Sequence, residues 1–355
     1  MTKIKYFSIS IPFIIIGIIL YFNNLKNPTR PSRKPRLHPQ VVGKWVVGEH
    51  PKFNDADTLN LQEAIDHALN GDTILVRPGQ YEIQSLPKLN LTIRGLSGTP
   101  EDIHISLQNP LLINGANVKL ENLFLTNHLK MKSAISITNG ELLTDNIKVK
   151  FTNTKQDFYV AKNGRFRSLN NHFIGMNKNT SIFLTENAEL HAEGNKFIKF
   201  KNAIESDHNK FLGIINLKDI EISHCLSSAI YLHGGRFSSK NISISKSASG
   251  FIISGNSVAN IDQIYISNNK FFALDIIDGG EINIDLFKFE NNRSAGIRVT
   301  GKESELNVLN GEISSSQSGL IVEDGASVNG KNIKLGDNLT TPIVNKESGE
   351  INLIN

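Results

Sequence analysis

The sequence predicts an all-β fold: a parallel β-helix, or solenoid, of about ten coils, with an amphipathic helix capping its N-terminal end. Three observations lead there. Ten polar residues (Asn122, Asn146, Asn171, Asn195, Asp219, Asn241, Gln263, Asp285, Asn310 and Asn332) recur every 22 to 25 residues, and a fixed period in this range marks a repeat architecture. Three places after nine of them stands an aliphatic residue, as at Leu125, Val149, Ile222, Ile244 and Ile266, with Lys288 the exception; the alternation is the two-residue period of a strand. Between Pro110 and Pro342 there is no proline, as befits strands that must all donate their N–H groups to a neighbouring coil.

Taken in chain order, the first element is the cap. Asn60 followed by Glu63 reads as a capping box. Leu61, Ala64, Ile65, Ala68 and Leu69 then fall on one helical face, and Gly71 closes the helix. A helix laid over the first coil is one way to cover the raw end of a solenoid. Residues 71–81 follow as a strand, a Pro-Gly turn and a tyrosine. Each later repeat holds three apolar strands. One follows the polar marker, one begins Ser-Ala-Ile or Ser-Gly-Leu (Ser133–Ile137, Ser228–Leu232, Ser318–Val322), and one resembles Gly115–Leu120 or Gly164–Leu169. Three strands per turn joined by bends make a parallel β-helix. A leucine-rich horseshoe has a similar period, but its leucine spacing and helical segment are missing. Stacked Asn side chains at the bends are expected to form a hydrogen-bonded ladder along the axis.

The run from Leu61 to Ala68, followed by Gly71–Tyr81, resembles the opening of the pectin-lyase-like right-handed parallel β-helix superfamily. The resemblance covers about residues 55–340 and implies a right-handed solenoid. It leaves function open, since that superfamily holds polysaccharide lyases, hydrolases, esterases, epimerases, binding modules and scaffolds, and fold does not give function.

The chain divides into residues 1–22, a signal anchor or transmembrane helix; 23–40, a basic, Pro-rich linker; 41–105, the N-terminal cap and first coil; and 106–355, the β-helix repeats. Residues 7–22 are sixteen uncharged residues, dominated by Ile, with Lys3 and Lys5 before them. That length suits an uncleaved anchor better than a cleaved signal peptide. The five basic residues after the span favour a cytoplasmic body. The family resemblance and the Ser/Thr/Asn-rich surface favour export, and the expectation is a membrane-anchored, extracytoplasmic (periplasmic or cell-surface) protein. The formal net charge of +4 comes from Lys26, Arg30, Arg33, Lys34 and Arg36, so the body carries no basic footprint for nucleic acid. The expected partners are a polysaccharide or an envelope protein, with the membrane held through the N-terminal helix. A lone Cys225 excludes an intrachain disulfide and reads as a small buried hydrophobe.

The search for chemistry finds few groups. No dense acidic run lies on the strands, the histidines show no metal spacing, and His233-Gly234 lacks the acidic pair that a hydrolase would set before it. No cofactor or metal is expected; Ca²⁺ enters only under a lyase alternative, where it would neutralise a uronate. One lateral constellation stands out. Aligning Ile204, Ile230, Leu274 and Ile297 stacks Glu205, Tyr231, Asp275 and Arg298 on one outward face as candidate ligand-binding residues. Two places on, Asp207 and His233 are the catalytic candidates. An ordinary hydrated sheet face would show the same residue types. Phe124, Tyr159, Phe183, Tyr231 and Tyr265 are expected to point outwards as a strip for sugar stacking. The function expected is non-catalytic binding of a glycan or protein along the flank. The alternative is a polysaccharide lyase or epimerase acting on acidic glycans.

Overall fold

The structure is a computed structural model and describes residues 43–48, 56–208, 211–336 and 340–354. The expected anchor and linker lie outside the described residues. Among the described residues no helix is long and apolar enough to cross a membrane.

From Asn117 to Ser206 each turn holds three strands, as expected, whereas from Ile214 to Ser314 two of the three merge into a single ten-residue strand, as at Ile214–Ser223 and Arg236–Ser245. A broad sheet of 21 strands begins at Lys44 and a narrow sheet of 11 strands begins at Leu111, and in both the strands pair in parallel from turn to turn. There are about twelve turns, not ten. The polar markers undercount because strands already pair before the first of them: Lys44 sits opposite Thr73, Thr73 opposite Thr92, and Leu91 opposite Val118. The cap helix spans Leu61–His67, ending four residues before Gly71, which supplies a left-handed backbone (φ 92°) in the following turn. Asn60 Oδ1 accepts from the N–H groups of Gln62 and Glu63. The other half of the box runs through an intermediary. The Asn60 N–H donates to Thr58 Oγ1, and that hydroxyl donates to the Glu63 carboxylate. Leu61, Ala64, Ile65 and Ala68 are buried in the core that the first turns share.

The bends explain the polar markers and correct their register. Asn122, Asn146, Asp219, Asn241 and Asn332 have φ between 50° and 56°, the left-handed region that Asn and Asp tolerate best after Gly. In the two intervening turns this role falls one place earlier, to Asn170 and Gly194. Asn171 and Asn195 instead turn inwards and are buried. Their side chains satisfy bend backbone across the coils: Ile147 N donates to Asn171 Oδ1 at 2.9 Å, and Asn171 N donates to Asn195 Oδ1 at 2.7 Å. The shift also resets the inward column. Phe173, Phe197 and Phe289 fill it where Ile174, Ile198 and Lys288 were expected. The Phe173 and Phe197 rings stack with centroids 4.7 Å apart. Cys225 is buried as expected, and burial pushes its thiol up to about 11, so it is inert as a nucleophile at neutral pH.

At the start of the narrow-sheet strands, registered positions run Ala203, Ala229, Gly250, Ala273 and Gly296. A Cβ on Gly296 would meet Ile313 Cγ2 at 2.3 Å, which shows why this column is small. Ser181 and Asp157 occupy it one and two turns before Ala203. Thr154 Oγ1 and Asn179 Nδ2 both donate to Asp157 Oδ1 at 2.7 Å, while Oδ2 is buried without a partner. Burial raises the Asp157 carboxyl to about 8, against a smaller lowering by those two donors. The folded chain therefore holds a proton there that the unfolded chain loses above about pH 4. Stability from this group is greatest in acid and falls as pH rises towards about 8, by at most ~1.4 kcal/mol per pH unit. Replacing Asp157 by Asn should remove that slope. Denaturant unfolding at about pH 4, 6 and 8 should show Asp157→Asn gaining on the parent as pH rises; parallel curves would mean the carboxyl is ionised in the fold.

Candidate functional site

The outward positions of the narrow sheet form one continuous line. Paired registers run Tyr159, Phe183, Glu205, Tyr231, Ile252, Asp275, Arg298 and Ile321, one residue per turn. The alignment of Glu205, Tyr231, Asp275 and Arg298 read from the sequence is thus the alignment in the structure, with Ile252 between Tyr231 and Asp275. The inward neighbours Ile204, Ile230, Phe251, Leu274 and Ile297 are buried and hold each strand in place. Successive turns lie about 4.8 Å apart, which puts neighbours on this line within reach of one another.

At the near end, the Tyr159 and Phe183 rings lie 6.0 Å apart and almost parallel, at 10°. Lys132 Nζ stands 6.0 Å from the Tyr159 ring centroid. Glu205 comes next. Its Oε2 accepts from Thr180 Oγ1 at 2.6 Å and from Asn202 Nδ2 at 2.9 Å. Tyr231 follows, its hydroxyl 3.4 Å from His208 Nδ1. The His208 ring meets Tyr231 edge-on at 5.0 Å and lies 5.1 Å from the His233 ring. His233 is anchored twice: its N–H donates to Ser206 Oγ at 2.8 Å, and its Nδ1 lies 2.9 Å from Ser254 Oγ. A Cβ at Gly255 would come within 2.6 Å of the His233 ring, so glycine in the left-handed conformation (φ 52°) is what lets the ring lie there. Thr185 Oγ1 donates to Asp207 Oδ2 at 3.3 Å. At the far end Asp275, buried, takes a two-pronged pair of hydrogen bonds from Arg298, Nε at 2.8 Å and Nη2 at 2.7 Å. The guanidinium also sits 4.3 Å from the Phe272 ring centroid, the planar stacking that suits arginine.

The electrostatics follow from these contacts. Burial holds His233 below the ordinary histidine range, and His208 adds to this, while Asp278 and Asp207 oppose it. Burial likewise raises Tyr231. The Ser254 hydrogen bond works against that rise, and Glu205, Asp278 and Asp275 add to it. The face therefore sets aromatic rings and a neutral His233 imidazole among carboxylates.

The structure brings Glu205, Asp207, Tyr231 and His233 into one patch and sets Asp275 and Arg298 farther along the same line as a closed pair. It also supplies groups the sequence reading passed over: Thr180, Asn202, His208, Ser254, Phe272 and Asp278. His208 follows Asp207 directly but lies past the regular strand, where no period marks it. The aromatic strip divides. Tyr159, Phe183 and Tyr231 share the narrow sheet, whereas Phe124 and Tyr265 belong to the broad one, Phe124 stacked on His104 at 5.0 Å and Tyr265 donating to Glu290 at 2.9 Å. Among the described residues no group of three or more His, Cys, Asp or Glu is gathered as a metal ion would require.

No protein-family model matches the chain. Its fold is similar to several solved structures at low identity. One is the catalytic unit of a thermostable GH87 α-1,3-glucanase from Streptomyces thermodiastaticus strain HF3-3, at TM-score 0.66 and 13% identity over 92% of this chain and 69% of that one. Two others are GH87 α-1,3-glucanase catalytic domains. The one in complex with nigerose has TM-score 0.63 and 14% identity, over 90% of this chain and 69% of that one. The one in complex with tetrasaccharides has TM-score 0.59 and 12% identity, over 90% and 70%. At these identities the likeness is one of fold.

A titration by NMR tests the patch directly. His233 should titrate below the free-histidine value of about 6.5, and Asp278→Asn should lower it further by removing an opposing carboxylate. A His233 midpoint above that value would mean the ring is more solvated or more closely paired than the geometry indicates.

Proposed function

We propose that the narrow-sheet face binds a glycan without cleaving it, and that the glycan is neutral. The observation that carries this reading is the unbroken outward line from Tyr159 to Arg298. Flat rings, hydrogen-bonding groups and a stacked guanidinium follow one another at the coil spacing, so that successive sugars of a chain would each meet a side chain. Glycoside hydrolase catalytic domains of similar fold support a glycan-related role.

The charge balance supports the neutral choice. Arg298 is matched by Asp275, and Glu205, Asp207 and Asp278 leave the middle of the line acidic, which would repel a uronate chain. Catalysis by paired carboxylates needs two of them poised across one sugar bond, one protonated and one free. Glu205 is instead tied to Thr180 and Asn202, and Asp275 to Arg298. Acidic-glycan lyase or epimerase chemistry draws no support from this face.

The test is a glycan array probed with the body of the protein, with product analysis of every ligand that binds. Neutral glucans should bind and be recovered intact. Tyr231→Ala should weaken binding by roughly tenfold, about 1.4 kcal/mol, with the melting temperature little changed. Release of shorter, unsaturated or epimerised sugars by the parent, abolished in Asp207→Asn or His233→Ala, would establish an enzyme and overturn this reading.

The N-terminal segment is proposed to hold the body at a membrane on its extracytoplasmic side. Full-length protein should fractionate with membranes and be degraded by protease added from outside; recovery in the soluble fraction would reject the anchor.

A further inference from the structure

The broad sheet carries a second regular feature, on a different face. Asn260, Asn283, Asn307, Asn329 and Asn352 occupy matched positions in five successive turns. All five are exposed or half-buried, while the alternate residues Ala259, Ile261, Ile282, Ile284, Leu306, Val308 and Val328 are buried, so the carboxamides point outwards. Each amide donates to the one before it. Asn283 Nδ2 reaches Asn260 Oδ1 at 3.1 Å, Asn307 reaches Asn283 at 3.0 Å, Asn329 reaches Asn307 at 3.1 Å, and Asn352 reaches Asn329 at 3.1 Å. The result is a rail of aligned amides along the solenoid axis.

Stability alone is a weak reason for such a rail. An amide bond at the surface replaces one with water, and the net gain is only about 1 kcal/mol or less. The buried bends gain far more from Asn171 and Asn195, whose partners have no water to turn to. The exposed rail does something the buried one cannot: it offers solvent a fixed, repeating set of polar atoms.

We propose that this asparagine rail is a second docking surface, for an extended, neutral polysaccharide lying parallel to the solenoid axis. The chemistry of the atoms left over picks the ligand. Each amide oxygen from Asn260 to Asn329 accepts one bond from the next rung and keeps a second lone pair. The amide donors of Asn283 and Asn307 are spent, since each also reaches a carboxylate: Glu281 Oε1 at 3.1 Å and Glu305 Oε1 at 2.9 Å. The surface is thus rich in acceptors and slightly acidic. It suits hydroxyl groups, which donate, and repels phosphates, sulfates and uronates. The spacing narrows the ligand further. Acceptors repeat at about 4.8 Å per turn, close to the advance of one hexose in an extended chain, so a polymer can pair each sugar with one turn. A short oligosaccharide gains from only a few rungs, whereas a long or crystalline chain gains from all of them at once. The rail is independent of the narrow-sheet line, and either can fail without the other.

The test uses two solid probes, water-insoluble α-1,3-glucan and microcrystalline β-1,4-glucan, with the full chain and three variants. The double change Asn283→Ala with Asn307→Ala removes two central rungs. Asn310→Ala, which removes an exposed amide partner of Asn332 at the bend, controls for loss of an ordinary surface ladder. Tyr231→Ala disables the narrow-sheet line and leaves the rail intact. On at least one glucan the double variant should bind at least tenfold more weakly than Asn310→Ala, and the rail should keep Tyr231→Ala on the solid. A second measurement does not depend on a variant folding: carbodiimide labelling of Glu281 and Glu305 in the parent should slow several-fold when that glucan is present. Binding unchanged in the double variant, equal loss in the Asn310 control, or unprotected Glu281 and Glu305 would each overturn the proposal. So would rail-dependent self-association without glucan binding.

Discussion

The interaction on which everything else rests is the backbone hydrogen bond between one turn and the next. A parallel strand pair fixes its partner's register, so a residue type repeated once per turn becomes a column about 4.8 Å in spacing. Columns of Ile, Val and Phe become the core. Columns of Asn become ladders, inward at Asn171 and Asn195 and outward from Asn260 to Asn352. An aligned flank of aromatics, imidazoles and carboxylates becomes a surface that repeats as a polymer repeats. The same constraint explains where proline is missing, and Asn, Asp or Gly takes the left-handed bend in seven of the turns, from Asn122 to Asn241 and again at Asn332.

How much of this the sequence discloses depends on whether a residue type is tied to the period. The strands, the cap helix and the line through Glu205, Tyr231, Asp275 and Arg298 are legible because each follows from the spacing of apolar residues. At Asp285 the register slip runs one place the other way, since Leu286 is the residue paired with Gln263; at Asn171 and Asn195 it has a simple cause. An asparagine at a bend and an asparagine one place later look alike in sequence, yet the first takes the left-handed turn and the second enters the core. The correct column was signalled by Lys288, an ill-fitting inward residue whose neighbour Phe289 fills the position. Two groups, one on the flank and one in the interior, are hidden. His208 lies past the end of a strand, where the period lapses, and Asp157 sits in a column of small residues that only the packing against the facing sheet reveals.

The two outward features share a logic of repetition. On the narrow sheet, Glu205 is held by Thr180 and Asn202, Asp275 is held by Arg298, and burial and His208 hold His233 below the ordinary histidine range. On the broad sheet, the amides and their flanking glutamates offer more acceptors than donors. Both faces carry a small excess of carboxylates and repeat over several turns, the two features on which the proposed neutral, polymeric ligands rest.

A structure of the protein with a neutral gluco-oligosaccharide bound tests this account most directly. It should place consecutive sugar rings along the narrow sheet, over Tyr159, Phe183 and Tyr231, with the glycosidic bonds intact and the Asp275–Arg298 pair unbroken. A sugar bound away from that line, or a cleaved chain with Glu205 or Asp207 against the broken bond, would contradict it.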